Sequence, residues 1–105
     1  MVNLKLLLFL LVVFKEGEPS DVDLNRLAGK IASKWETVGL YLNIEQEVLE
    51  EISVNAKDKP YEMLLHWKKN IRPSSKPYRE LYNALCESRV GLSKLARDFC
   101  CKKTM

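Results

Sequence analysis

The stretch Trp35-Glu36-Thr37-Val38-Gly39-Leu40-Tyr41-Leu42-Asn43-Ile44 decides how the rest of the chain is read. Trp35, Val38 and Leu42 fall three and four residues apart, the spacing of one face of an α-helix. Asn43 gives that short helix a natural end, because asparagine tolerates the left-handed backbone that a helix C-terminus requires.

The same period extends outward in both directions. Upstream, Pro19 ends a leading segment, and Ser20, Asp21 and Asp23 can cap the orphan amides of a helix whose buried stripe is Leu24, Leu27, Ala28 and Ile31. Downstream, residues 45–54 form a third helix with Val48, Leu49 and Ile52 on its buried face, and its acidic first turn complements the helix dipole. After a link at Asn55 to Lys57, Asp58 caps a fourth helix that tolerates Pro60 in its first turn and carries Met63, Leu64, Trp67 and Ile71. Pro73, Ser74 and Ser75 break the chain; a fifth helix begins near Pro77 and carries Tyr78, Leu81, Tyr82 and Leu85. Gly91 marks the next break, before a short sixth helix with Leu92, Leu95, Ala96 and Phe99 and a basic tail at Lys102 and Lys103.

Each of these stripes is too narrow and too short to be stable alone, so the fold class expected is all-α, a six-helix antiparallel bundle. A length of 105 residues holds one such domain and no second core. A hydrophobic content of 47% with 30% charged residues can bury a core under a well-charged surface. The core is expected at Leu27, Ile31, Trp35, Leu42, Leu49, Ile52, Leu64, Trp67, Leu81, Leu85 and Leu95. The organisation expected is an N-terminal apolar segment and linker at 1–20, the domain at 21–101 and a basic tail at 102–105.

Cys86, Cys100 and Cys101 make an odd count with two adjacent, and neighbours almost never bridge each other without strain. Free thiols in a reducing compartment follow, which places the chain in the cytoplasm. The apolar run from Leu4 to Phe14, broken only by Lys5, points the other way. It is too short to span a bilayer, which takes ~20 residues, but has the length of a signal-peptide core. Its flanks fit poorly, since Lys15-Glu16-Gly17-Glu18-Pro19 offers no small-x-small cleavage site. The alternatives are an extra helix or strand packed on the domain, or the tail of a longer parent protein.

Taken in order, these landmarks resemble the death domain over roughly Asp23 to Phe99. Residues 35–44 are similar to that family's second-helix pattern of a Trp, an apolar-Gly pair and then Leu-Gly-Leu. Leu49 and Ile52 match the third-helix anchors, and Met63-Leu64-Leu65-His66-Trp67 the apolar pair and Trp of the fourth helix. Leu81-Tyr82-Asn83-Ala84-Leu85 resembles the fifth-helix Leu-x-x-Ala-Leu, and Leu95-Ala96 the sixth-helix Leu-Ala. The chain departs from the pattern at Asn43, where the family usually has Gly, and at Glu45, where it often has a Ser or Thr cap; the second leaves the third helix less well capped. Nothing in the resemblance covers Met1 to Ser20.

Charge is segregated along the chain. Between Trp35 and Ala56 stand five acidic residues, Glu36, Glu45, Glu47, Glu50 and Glu51, and no Lys or Arg. Between His66 and Arg79 stand five basic ones, Lys68, Lys69, Arg72, Lys76 and Arg79, and no Asp or Glu. By themselves such runs are ordinary solvated faces. The resemblance implies more: an acidic face around the second and third helices of one death domain meets a basic face around the first and fourth of the next, and such head-to-tail contacts propagate because the two faces differ. The partner-binding residues expected on that ground are Glu36, Glu47, Glu50, Glu51, Lys68, Lys69, Arg72 and Lys76.

No catalytic, cofactor or metal site is expected. His66 is the single histidine, and a nucleophilic pair with Cys86 would lack an orienting third group. Cys100-Cys101 with one histidine has no zinc-ligand spacing. The four glycines, at 17, 29, 39 and 91, make no phosphate loop. Trp35 and Trp67 on apolar stripes read as core residues and not as a stacking pair for a ligand. The expectation is therefore a non-enzymatic interaction module that takes no small-molecule substrate. It acts in apoptotic or innate-immune-like signal transduction by binding other death-domain proteins or its own copy, and meets a membrane only as part of a receptor. Two rivals stand beside it: a small secreted helical protein, if the apolar run is a cleaved signal, and a basic helical nucleic-acid binder using Lys68 to Arg79. A net charge of +3 and the acidic second and third helices oppose the last, so nucleic acid is not an expected partner.

Overall fold

The computed structural model describes residues 13–102. They form six α-helices: α1 Asp21–Lys30, α2 Trp35–Tyr41, α3 Gln46–Asn55, α4 Lys59–Lys69, α5 Pro77–Cys86 and α6 Ser93–Cys100, with a 3-10 turn at Ala32–Lys34 between α1 and α2. No strand occurs among the described residues; the only extended pairing is an isolated antiparallel bridge between Phe14 and Cys101. Most of the apolar run Leu4 to Phe14 and the end of the basic tail lie outside the described residues.

The helix ends follow from local chemistry. The Ser20 hydroxyl accepts the Asp23 N–H at 3.1 Å, and the Asp58 carboxylate accepts the Tyr61 N–H at 3.3 Å, so α1 and α4 each begin on a side-chain cap. Glu45 makes no such bond, which leaves α3 uncapped as its sequence implies. At the end of α2, Asn43 takes φ +64°. The Ile44 N–H then donates to the Gly39 carbonyl at 3.1 Å and the Asn43 N–H to that of Leu40 at 3.0 Å, the paired bonds of a Schellman motif. Ile44, turned back by this motif, is buried. Gly91, at φ +67°, performs the matching turn before α6.

α4 is the centre of the bundle and packs against α1, α2 and α3, while α5 packs against α2 and α6. The two tryptophans, Trp35 on α2 and Trp67 on α4, are both in the core. Of the expected core residues Leu27, Ile31, Trp35, Leu42, Leu49, Leu64, Trp67, Leu81 and Leu85 are buried, and among the described residues no charged or polar one is buried with them. Ile52 and Leu95 are only partly buried and flank that core. Both sit on outer helices: α3 sends only Leu49 fully inward, and α6 sends Ala96 and Cys100. Gly39 explains how α2 and α3 come so close, because a β-carbon there would lie 2.7 Å from Leu49 Cδ2 and 3.2 Å from Met63 Cγ.

The packed unit also reaches further toward the N-terminus than the 21–101 boundary. Lys15 N–H donates to the Cys100 carbonyl at 2.9 Å, and Lys102 N–H to that of Val13 at 2.8 Å, tying the segment to the end of α6. The Phe14 ring meets Tyr82 edge-on at 5.1 Å between centroids, and Pro19 is fully buried.

Candidate functional site

The acidic residues are exposed. Glu47, Glu50 and Glu51 are spaced i, i+3, i+4 on α3, so they share one face, and Glu36 opens α2; all four are exposed. No cation among the described residues pairs with any of them, since the ion pairs present are Arg26–Asp23 at 3.8 Å and Lys68–Asp21 at 2.8 Å. Glu47 interacts favourably with the N-terminal dipole of α3, whereas Glu50 and Glu51 repel it at a cost of ~0.2–0.5 kcal/mol per pair. Exposed aliphatic residues lie in the same register. Leu40, one turn after Glu36, is 49% exposed, and Val54, one turn after Glu50 and Glu51, is 81% exposed.

The basic residues, contiguous in sequence, are distributed over separate surfaces. Lys68 is half-buried against α1, where its ammonium donates to Asp21 at 2.8 Å. That hydrogen bond raises its pKa above the ordinary lysine value, and it serves as a strap between α1 and α4. Lys69 lines a groove between α3 and α4 together with Glu51, so one member of each charged set faces the same space. Arg72 lies between two grooves. One is shared with Glu45 at the α2–α3 turn; the other, shared with Lys76 and Arg79, runs beside residues 13–18. Of the expected basic set, then, only Arg72 and Lys76 are gathered into one place, and Arg79 and Lys15 join them there.

Sequence reasoning missed that second gathering. The Arg79 guanidinium sits 5.4 Å from the centre of the Phe14 ring, and the Lys15 ammonium lies 5.8 and 5.7 Å from the centres of Tyr78 and Phe99. Only the change from apolar run to charge at Phe14-Lys15 hinted that this segment belongs to the domain.

All three thiols are shifted upward. Burial pushes the Cys100 thiol up to about 12 and raises Cys101 as well. Cys86 is also raised by burial, although the neighbouring Tyr82 hydroxyl pulls it the other way. A nucleophilic cysteine needs the opposite shift. His66 lies beside Asn70, whose side-chain amide donates to the His66 carbonyl at 2.8 Å. Among the described residues no three His, Cys, Asp or Glu side chains converge as metal ligands, and no helix is long and apolar enough to cross a membrane.

No protein-family model matches the chain, and neither a curated protein nor a solved structure matches it.

Proposed function

We propose that the chain is an interaction module of the death-domain type, acting in signal transduction by binding other death-domain proteins or its own copy in the cytoplasm. The single observation that carries this reading is the exposed acidic stripe Glu47, Glu50 and Glu51 on α3, with Glu36 also exposed on α2, left without a counter-charge among the described residues. A helix that concentrates like charge on one face loses a little stability and gains a surface that selects a basic partner. Leu40 and Val54 add apolar contact area at its margin. The resemblance carried by the two tryptophans and the Gly39 packing adds the family, with apoptotic or innate-immune-like signalling as the setting.

On the basic side the reading narrows. Lys68 is engaged by Asp21 and Lys69 faces α3, so Arg72 and Lys76 are the residues best placed to meet a second molecule. The same dispersal weakens the nucleic-acid alternative, which needs a concentrated basic face. The secreted alternative has a geometric condition: a cut within or after Val13–Lys15 would remove the contacts of Phe14 with Tyr82 and Cys101.

Sedimentation velocity on charge-reversed proteins tests the proposal. Reversing Glu47, Glu50 and Glu51 together, or Arg72 and Lys76 together, should abolish association, and mixing the two reversed proteins should restore it. Association should weaken as salt rises, since the Debye length is only ~8 Å at physiological ionic strength. If the wild type self-associates and both reversed proteins do so equally well, the stripe is solvated surface and the proposal fails. If the wild type is a monomer, the same variants are tested against the partner captured by the wild-type chain.

A further inference from the structure

A groove of about 740 Å³ runs between residues 13–18 and the loop joining α4 to α5. That volume falls within the ~300–1,000 Å³ of sites that enclose small ligands or a few side chains of a peptide. Phe14, Ile71 and Pro73 supply apolar lining, and Arg72, Lys76 and Arg79 supply charge. Glu16 and Glu18 also line it, yet neither closes an ion pair with these cations. With Lys15 included, four cations face two carboxylates, so the groove is net positive. The Arg79 guanidinium, 5.4 Å from the centre of the Phe14 ring, sets a cation beside an apolar surface.

The same segment has a backbone edge that no described residue pairs. Phe14 and Cys101 are a non-hydrogen-bonded antiparallel pair, flanked by the Lys15-to-Cys100 and Lys102-to-Val13 bonds. In that register the N–H and C=O of Phe14 point away from Cys101, and neither has a backbone partner among the described residues. An extended chain can satisfy both groups by adding as a strand, whereas a helix has its backbone bonds already made.

We propose that this groove is a docking site for an extended acidic peptide segment of a partner protein. The segment pairs with the Phe14 edge, rests an apolar side chain on Phe14, Ile71 and Pro73, and places carboxylates against Arg72, Lys76 and Arg79. This site shares only Arg72 and Lys76 with the surfaces described above and does not require the α3 stripe, so the two ideas can fail separately. It also gives the N-terminal segment a role that the resemblance does not reach.

Fluorescence anisotropy on the full chain tests it, with a labelled, C-terminally amidated hexapeptide of alternating glutamate and valine as probe and an alternating lysine and valine peptide as control. The acidic peptide should bind saturably and the basic one should not. Lys76→Glu with Arg79→Glu should weaken binding at least about tenfold, since reversed charges meet the carboxylates. The milder Lys76→Gln with Arg79→Gln should weaken it less, and circular dichroism on both variants establishes that the helices persist. In amide NMR spectra the peptide should shift Phe14, Glu16 and Arg79, while Lys30→Gln on α1, outside the groove lining, should bind like wild type. No saturable binding up to about 1 mM, a level weaker than any useful recognition, overturns the proposal. So do equal affinity for a single-stranded oligonucleotide, amide shifts confined to other faces, or folded Glu and Gln variants that bind like wild type.

Discussion

Substituting Gly39 by alanine sets two known effects against each other. Alanine is the better helix former by ~1 kcal/mol, which alone would stabilise α2. Against that, the added β-carbon would lie 2.7 Å from Leu49 Cδ2 and 3.2 Å from Met63 Cγ, inside the ~3.5–4.0 Å of comfortable carbon contacts. Leu49 and Met63 are 1% and 0% exposed, so neither has open space into which to move. Overpacking of this kind costs ~1–3 kcal/mol, and subtracting the helix gain leaves a net loss of ~0–2 kcal/mol. Because that net value is small, a double-mutant cycle is the sharper assay. Leu49→Ala alone should cost ~2–5 kcal/mol. In the Gly39→Ala background it should cost less by ~1 kcal/mol or more, because the new methyl enters the space that the leucine vacates. Urea unfolding followed by tryptophan fluorescence and by circular dichroism reads all four proteins. If the two substitutions add within ~0.5 kcal/mol, or if Gly39→Ala alone stabilises by ~1 kcal/mol, α2 does not lie against α3 as described.

Three further outcomes follow from the packing and charge. Trp67→Ala should cost ~3–5 kcal/mol, a large share of a domain's total stability, and a melting temperature within a degree or two of wild type would mean that α4 does not turn this face inward. Glu50→Lys places a cation one turn after Glu47 in the favoured order and removes a like-charge pair, so it should stabilise the isolated domain by ~0.4–1 kcal/mol while weakening partner binding; unchanged stability would show that the stripe carries no internal repulsion. Stability should fall with alkali: Cys100 is held protonated in the fold, so the unfolded chain loses this proton first and stability present below about pH 9 is lost as pH rises towards about 12, by up to ~4 kcal/mol from this group. Denaturant titrations across that range in reducing buffer should show a shallower fall in Cys100→Ala, and parallel curves would refute the assignment.

What could be read from the sequence was what short-range chemistry dictates. Ser20, Asp58, Asn43 and Gly91 act on backbone groups within a few residues of themselves, and each appears in the structure in the role its chemistry implies. Stripes with a clear period, such as Leu24, Leu27, Ala28 and Ile31, face inward for the same reason. Depth of burial was less legible, because it depends on what lies over a helix. Ile52 and Leu95 share a face with buried residues yet remain partly open, while Cys100, read only as a thiol, is fully buried. Ile71, placed in the α4 stripe, falls beyond the end of that helix at Asn70. Least legible were contacts between distant segments. Nothing within the run Lys68 to Arg79 reveals that Lys68 meets Asp21, 47 residues earlier, or that Arg79 lies over Phe14.

The two charged runs look like complementary halves of one device, and the bundle treats them differently. A helix can hold an acidic run on one exposed face because residues i, i+3 and i+4 coincide there, and α3 does so with Glu47, Glu50 and Glu51. The basic run has no such periodic constraint. It crosses the end of α4, a loop and the start of α5, so successive cations project in different directions. One is consumed by the strap to α1, one joins the α3–α4 groove, and the rest converge on the N-terminal segment. A rigid acidic ridge on one side and a concave basic groove on another have different shapes as well as opposite signs. The groove, where the Phe14 N–H and C=O have no backbone partner among the described residues, suits a single extended strand. Arg72 and Lys76 belong both to the groove and to the proposed head-to-tail contact, so the two uses of that surface compete, whereas reversing the ridge leaves the groove competent to take a peptide.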